Sequence, residues 1–139
     1  MEFIGKIIDG QITDNFNLTE MKCKGSGDIL INQDVISHAQ RLQAFRAWYN
    51  RPMLVNSWYR SETHNKAVGG AVNSQHLLGV ATDVALPPDF YWMSKTRQNQ
   101  FIKNCREKWF ALGGRGFGIY NAFMHFDSRK LGLWDADMR

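Results

Sequence analysis

Cysteine and proline are scarce in this chain of 139 residues, with two of the first and three of the second, and no long apolar run occurs. Cys23 and Cys105 lie far apart and form no C-x-x-C pair, which excludes a cysteine zinc ribbon and a disulfide framework. Cys105 falls in an apolar helical pattern and reads as a small buried hydrophobe, although pairing with Cys23 stays open at this level. No apolar stretch approaches the length of a membrane span, so no membrane partner is expected. Met1 to Gln11 lacks a basic region followed by a long apolar one, so no signal peptide is expected either. The chain then reads as a product made in the cytoplasm, one that something else must release if it acts outside. Repeats and low-complexity tracts are missing as well.

What is present is the material of one domain with a real core. Hydrophobic residues make up 44% of the chain and aromatics 13%, which excludes a disordered class. Five Trp and nine Phe exceed what a minimal core needs, so some are expected to line a groove. The formal charge of +4 favours a polyanionic partner such as a cell wall, a membrane surface or nucleic acid. The basic residues are scattered, with no run of five like charges, which argues against a nucleic-acid module. A monomer is the default expectation.

The pattern along the chain predicts helix, strand, long loop, strand, helix and hairpin. Asn32 caps a helix to about Tyr49, in which Val35, Ala39, Leu42, Phe45 and Tyr49 form one apolar stripe. Met53 to Trp58 reads as a strand. Tyr59 to Gly79 reads as a long polar loop, a length that is usually functional. Val80 to Leu86 reads as a strand with Asp83 between small residues on one face, closed by Pro87 and Pro88. Ser94 caps a second helix to about Leu112, with Gly113 suited to its left-handed end. Phe117 to Tyr120 and Phe123 to Asp127 read as strands joined by a tight turn at Asn121 and Ala122. The segment before Gly25 reads as an irregular lead-in, and the tail carrying Trp134 as weakly structured. The order implies an α+β domain with a small antiparallel sheet flanked by helices.

Four histidines occur, and three of them stand in polar or strand segments. His38 lies inside the first helix and reads as a partly exposed helical residue. His76 and Asp83 are seven positions apart with Gly79 between them, so a bend brings both to one point, and His125 on a later strand adds a third donor. Two imidazoles and one carboxylate form a catalytic zinc set that leaves a position for water. Such a metal polarises a carbonyl and lowers the pKa of water towards about 7.

Between Asn56 and Asp83 the sequence reads NSWYRSETHNKAVGGAVNSQHLLGVATD, and from Gly116 it reads GFGIYNAFMHFDSR. These segments closely resemble the zinc D-alanyl-D-alanine carboxypeptidase and L-alanyl-D-glutamate endopeptidase family, including its phage endolysin branch. The family pattern is S-x-Y-R-S, then H-N, V-G-G and S-x-H-x-x-G-x-A-x-D, with a G-x-x-x-Y…F-x-H-x-D-x-R end motif. The resemblance implies a hedgehog-like peptidase fold and hydrolysis of a peptide bond in bacterial peptidoglycan. It implies Zn2+ held by His76, Asp83 and His125. Arg60 matches the arginine that binds a substrate carboxylate, which a guanidinium grips with two parallel hydrogen bonds. His64 and Asn65 are expected either to line the same cleft or to tie down the loop, and Ser74 to bond the ligand loop or the substrate.

The sequence departs from that pattern at one point. Several branches place a catalytic Glu three residues before the last metal histidine, where this chain has Ala122, and some have a His where it has Phe123. The general base is therefore not carried over. Asp127, on the strand face of His125, is the nearest acid and serves either as base or as the group that orients a ligand. Glu62 is a second candidate, and a metal-activated water with no protein base is a third. The missing Glu also leaves an alternative function, a zinc-containing peptidoglycan-binding module without activity. Which bond is cut is not legible, and a divalent ion other than zinc stays open.

Overall fold

The computed structural model describes residues 2–6 and 10–139. Part of the N-terminal stretch read for a signal peptide, residues 1 and 7–9, lies outside the described residues. The elements run β1 (Phe3–Gly5), α1 (Leu18–Met21), β2 (Ile29–Ile31), α2 (Gln33–Tyr49), β3 (Val55–Ser57) and α3 (Glu62–Ala67). After a 3₁₀ turn at Gln75–Leu78 come β4 (Ala81–Ala85), a second 3₁₀ turn at Pro88–Trp92, α4 (Lys95–Ala111), β5 (Gly116–Ile119), β6 (Phe123–Asp127) and β7 (Trp134–Asp137).

The fold is α+β, as the pattern predicts. A two-stranded sheet pairs β1 with β2, and a five-stranded sheet has the order β3-β4-β6-β5-β7. Its first four strands pair antiparallel, while β7 adds parallel to β5. No helix among the described residues is long and apolar enough to cross a membrane.

The two long helices start where their caps predict. Asn32 accepts a hydrogen bond from Val35 N–H at 2.9 Å, and Ser94 accepts one from Arg97 N–H at 3.2 Å. Helix α2 ends at Asn50 in the left-handed conformation (φ 53°), two residues before Pro52. Their stripes meet the sheet in an aromatic lock. Phe45 lies 4.8 Å from Phe126, and Trp109 lies edge-on to Phe126 at 5.3 Å. Phe45, Trp109 and Phe126 are all fully buried, a setting in which truncation to Ala costs roughly 3–5 kcal/mol each. The lock fixes the sheet from behind, so its opposite face is free to carry a site.

Five expectations need correction. The polar stretch Tyr59 to Gly79 is not a structureless loop but holds α3 and a 3₁₀ turn. Ser61 caps α3 through His64 N–H, and Asn65 is its only buried residue, so no apolar stripe announces it. The tail is not weakly structured, because β7 pairs with β5 from Gly116↔Trp134 to Ile119↔Asp137. The lead-in is partly regular, with β1 paired to β2 and α1 closed by a reciprocal Asn17–Glu20 cap. The strand expected over Met53 to Trp58 narrows to β3.

His38 is the fifth correction, being fully buried rather than partly exposed. Its Nδ1 lies 2.6 Å from Ser128 Oγ and its Nε2 3.0 Å from Thr82 Oγ1. Trp58 and Trp109 meet its ring edge-on at 5.5 and 5.8 Å. Burial, the largest influence, together with the positive charge of Arg41, lowers its pKa to about 3 against the opposing pull of Asp127. Neutral His38 thus ties α2 to the residues next to Asp83 on β4 and Asp127 on β6. Cys23 and Cys105 are both buried free thiols, and burial pushes Cys105 up to about 12.

Candidate metal centre

Alternation along β4 and β6 sorts their side chains. Val84, Met124 and Phe126 enter the core, while Asp83 and His125 project from the other face. The antiparallel register sets Asp83 directly opposite His125, so Asp83 Oδ1 lies 2.9 Å from His125 Nδ1. His76 arrives from the neighbouring 3₁₀ turn and places its Nε2 3.1 Å from Asp83 Oδ2. One donor atom from each of the three residues lies within 4.8 Å of the others. The turn that delivers His76 depends on Gly79, whose φ is +70°. A Cβ there would stand 2.8 Å from the Val35 side chain, so both backbone conformation and space exclude other residues.

The outward nitrogens of both imidazoles are committed. His76 Nδ1 lies 2.6 Å from the Trp58 carbonyl oxygen. A carbonyl only accepts, so Nδ1 carries the proton and the Nε2 lone pair faces the cluster. His125 Nε2–H donates to Asp127 Oδ2 at 2.8 Å, leaving Nδ1 to face the cluster. Asp127 is fully buried and itself held by Arg129, whose Nε donates to Oδ1 at 2.9 Å and whose second amino group donates to Oδ2 at 2.6 Å. Gly116 makes room for this carboxylate, since a Cβ there would meet it at 2.1 Å.

The electrostatics follow from the same contacts. Burial opposes ionisation of Asp83, but the bonds from His125 and His76 outweigh it and hold the carboxyl well below the usual range. Asp127 behaves alike, its burial overcome by His125 and then Arg129. Burial disfavours a charged His125, yet Asp127 and Asp83 win and raise it above its ordinary value. Two inward imidazole nitrogens and an ionised carboxylate, oriented by a carbonyl and a second carboxylate, are the donor set that suits a zinc ion.

These groups stand on the floor of an open cleft of about 510 Å³, whose walls include Arg60, Ser74, Tyr120 and Trp134. Arg60 lies with one amino group 3.4 Å from Asp83 Oδ2 and donates to Ser57 Oγ and Asn65 Oδ1. Its side chain is 17% exposed, enough to meet a ligand in the cleft while its direction is fixed.

A sequence profile of the peptidase M15 family matches residues 14–127, more than half of the chain. The chain belongs to the peptidase M15 family. Membership makes a zinc metallopeptidase domain the coarse reading of the cleft, with peptidoglycan as the substrate class. Comparison with curated proteins gives no match.

Within this M15 domain the expected residues do not all converge. Asn65 is buried and donates to the Ala71 carbonyl at 2.8 Å, so it ties down the loop and steadies Arg60. Ser74 accepts from His76 N–H at 3.2 Å and so bonds the ligand turn. His64 lies against Gly25, not in the cleft. Consecutive helical residues point about 100° apart, so a helix that aims Asn65 at Arg60 turns His64 away. Glu62 is exposed on the first turn of α3. Both oxygens of Asp127 already have partners, which suits an orienting role better than proton transfer.

Three further residues of the cleft, Tyr120, Arg129 and Trp134, had no role assigned from the sequence. Tyr120 and Arg129 sat within the end motif without an assigned role. Trp134 gave no signal, because it lies in a tail without apolar periodicity and beyond the matched segment. Its ring meets His125 edge-on at 5.3 Å, and the Arg129 guanidinium lies over it at 5.4 Å.

Proposed function

We propose that this M15 protein is a zinc peptidase that hydrolyses a peptide bond in the stem peptides or cross-links of bacterial peptidoglycan. The single observation that carries this reading is the convergence of His76, Asp83 and His125 in an open cleft beside Arg60. A divalent ion bound there supplies a Lewis acid that polarises the scissile carbonyl and makes water more acidic. Arg60 binds a free carboxylate next to the scissile bond and so sets which amide meets the centre. Water adds to the carbonyl carbon, the C–N bond breaks, and the leaving amine takes a proton. Asp127 holds the His125 imidazole in the tautomer that turns Nδ1 inward.

We assign the protein to phage or prophage lysis, as a monomer that reaches the wall after release from the cytoplasm. Its net charge of +4 favours retention on anionic wall polymers. The scattered distribution of that charge gives no reason to invoke nucleic acid.

Mass spectrometry of muropeptides tests the activity and identifies the bond. New amine and carboxyl termini are expected from purified peptidoglycan, abolished by chelation and restored by zinc. Ala122 favours a second reading, a wall-binding module that holds metal without turnover. Wall binding with no new termini from any wall chemotype would select it.

A further inference from the structure

Arg60 is taken up by the substrate carboxylate and both oxygens of Asp127 are engaged, so the scissile carbonyl oxygen has only the cation to meet its developing charge unless another side chain of the cleft donates to it. Four facts single out Tyr120. It lines the same cleft as His76, Asp83, His125 and Arg60. It sits on the β5–β6 hairpin that carries His125, two residues from Ala122, and Tyr120 N–H bonds the Phe123 carbonyl at 2.9 Å to close that hairpin. Its ring is stacked on Phe123, with centroids 4.4 Å apart and planes within 12°, so the phenol is held in direction. The hydroxyl has no hydrogen-bond partner among the described residues. Asn73 and Gln75 also line the cleft, but they belong to the loop and turn leading to His76, and no ring fixes them.

We propose that Tyr120 donates its phenolic O–H to the scissile carbonyl oxygen as that oxygen gains charge, a role that rests on the peptidase reading above. A neutral phenol fits this role because it donates a hydrogen bond without a counter-charge that would compete with the cation. Burial and then the charge of Asp83 raise the phenol above its ordinary value against the pull of Arg60, so it keeps its proton at neutral pH. A donor aimed where charge develops acts on the transition state and not on substrate binding.

The test is Tyr120→Phe, which keeps the stack on Phe123 and removes only the hydroxyl. The expected result is a fall in kcat of about 10²-fold with KM nearly unchanged. Affinity for a phosphinate dipeptide, whose tetrahedral oxygens mimic the charged carbonyl, is expected to fall by a similar factor. Zinc affinity and Tm should match the wild type. A variant within twofold of wild type in both kcat and phosphinate affinity overturns the proposal, as does a loss confined to KM. Should the wild type itself release no wall peptide, the peptidase reading falls, and the phosphinate comparison still decides whether the hydroxyl meets a tetrahedral oxyanion.

Discussion

Asp127 grips the far nitrogen of the imidazole whose near nitrogen faces Asp83: His125 Nε2 lies 2.8 Å from Asp127 Oδ2 and Nδ1 lies 2.9 Å from Asp83 Oδ1. Arg129 occupies the rest of the Asp127 carboxylate, so its negative charge is spent on direction. Asp127→Asn therefore loosens the metal by about 10–100-fold, measured by competition with a chromogenic chelator. A base would behave differently, with kcat reduced and metal affinity intact.

Arg60 predicts a different signature. Arg60→Lys keeps the charge and loses the planar fork, so KM for a wall peptide rises about tenfold or more, the range of one to two charged hydrogen bonds. Steady-state kinetics on a substrate with a free carboxylate read this, and the rise should disappear when that carboxylate is amidated.

His38 makes stability depend on acid. Its native pKa of about 3 lies below the ordinary 6.5, so the unfolded chain binds the extra proton first. Stability is then full above about pH 6.5 and falls as pH drops towards 3, at roughly 1.4 kcal/mol for each pH unit. Urea unfolding of the zinc-loaded protein across this window checks it. In His38→Gln, which bonds Ser128 and Thr82 without titrating, the slope between pH 6.5 and 4 should flatten.

Trp134 joins the tail to the centre through His125 and Arg129. Trp134→Ala should weaken zinc binding severalfold while the aromatic lock of Phe45, Trp109 and Phe126 keeps the fold cooperative. Chelator competition and thermal unfolding on the same samples separate the two effects, and unchanged zinc affinity would reduce β7 to an edge strand.

The long helices, the strands β4 and β6 and the β5–β6 hairpin were legible in the sequence because caps, stripes, alternation and tight turns are local signals, whereas the pairing of β4 with β6 was not. Alternation gave the face that Asp83 and His125 each occupy on its own strand, but only the antiparallel register sets the two opposite each other. Helix α3 was not legible, since it is polar throughout and held by Ser61 and Asn65 instead of a stripe. His38 was misread for the opposite reason: its partners Thr82 and Ser128 are more than forty positions away, and only the packing of α2 on the sheet brings them together. Trp134 required knowledge of a parallel pairing that joins the tail to β5, which no short window contains.

Titration of zinc into the metal-free protein, read by calorimetry, tests the central claim most directly. The geometry predicts one tightly held ion per chain, with tight binding lost in His76→Ala, Asp83→Ala and His125→Ala and kept in His64→Ala. No uptake by the wild type, or tight uptake that survives removal of any of the three donors, would contradict it.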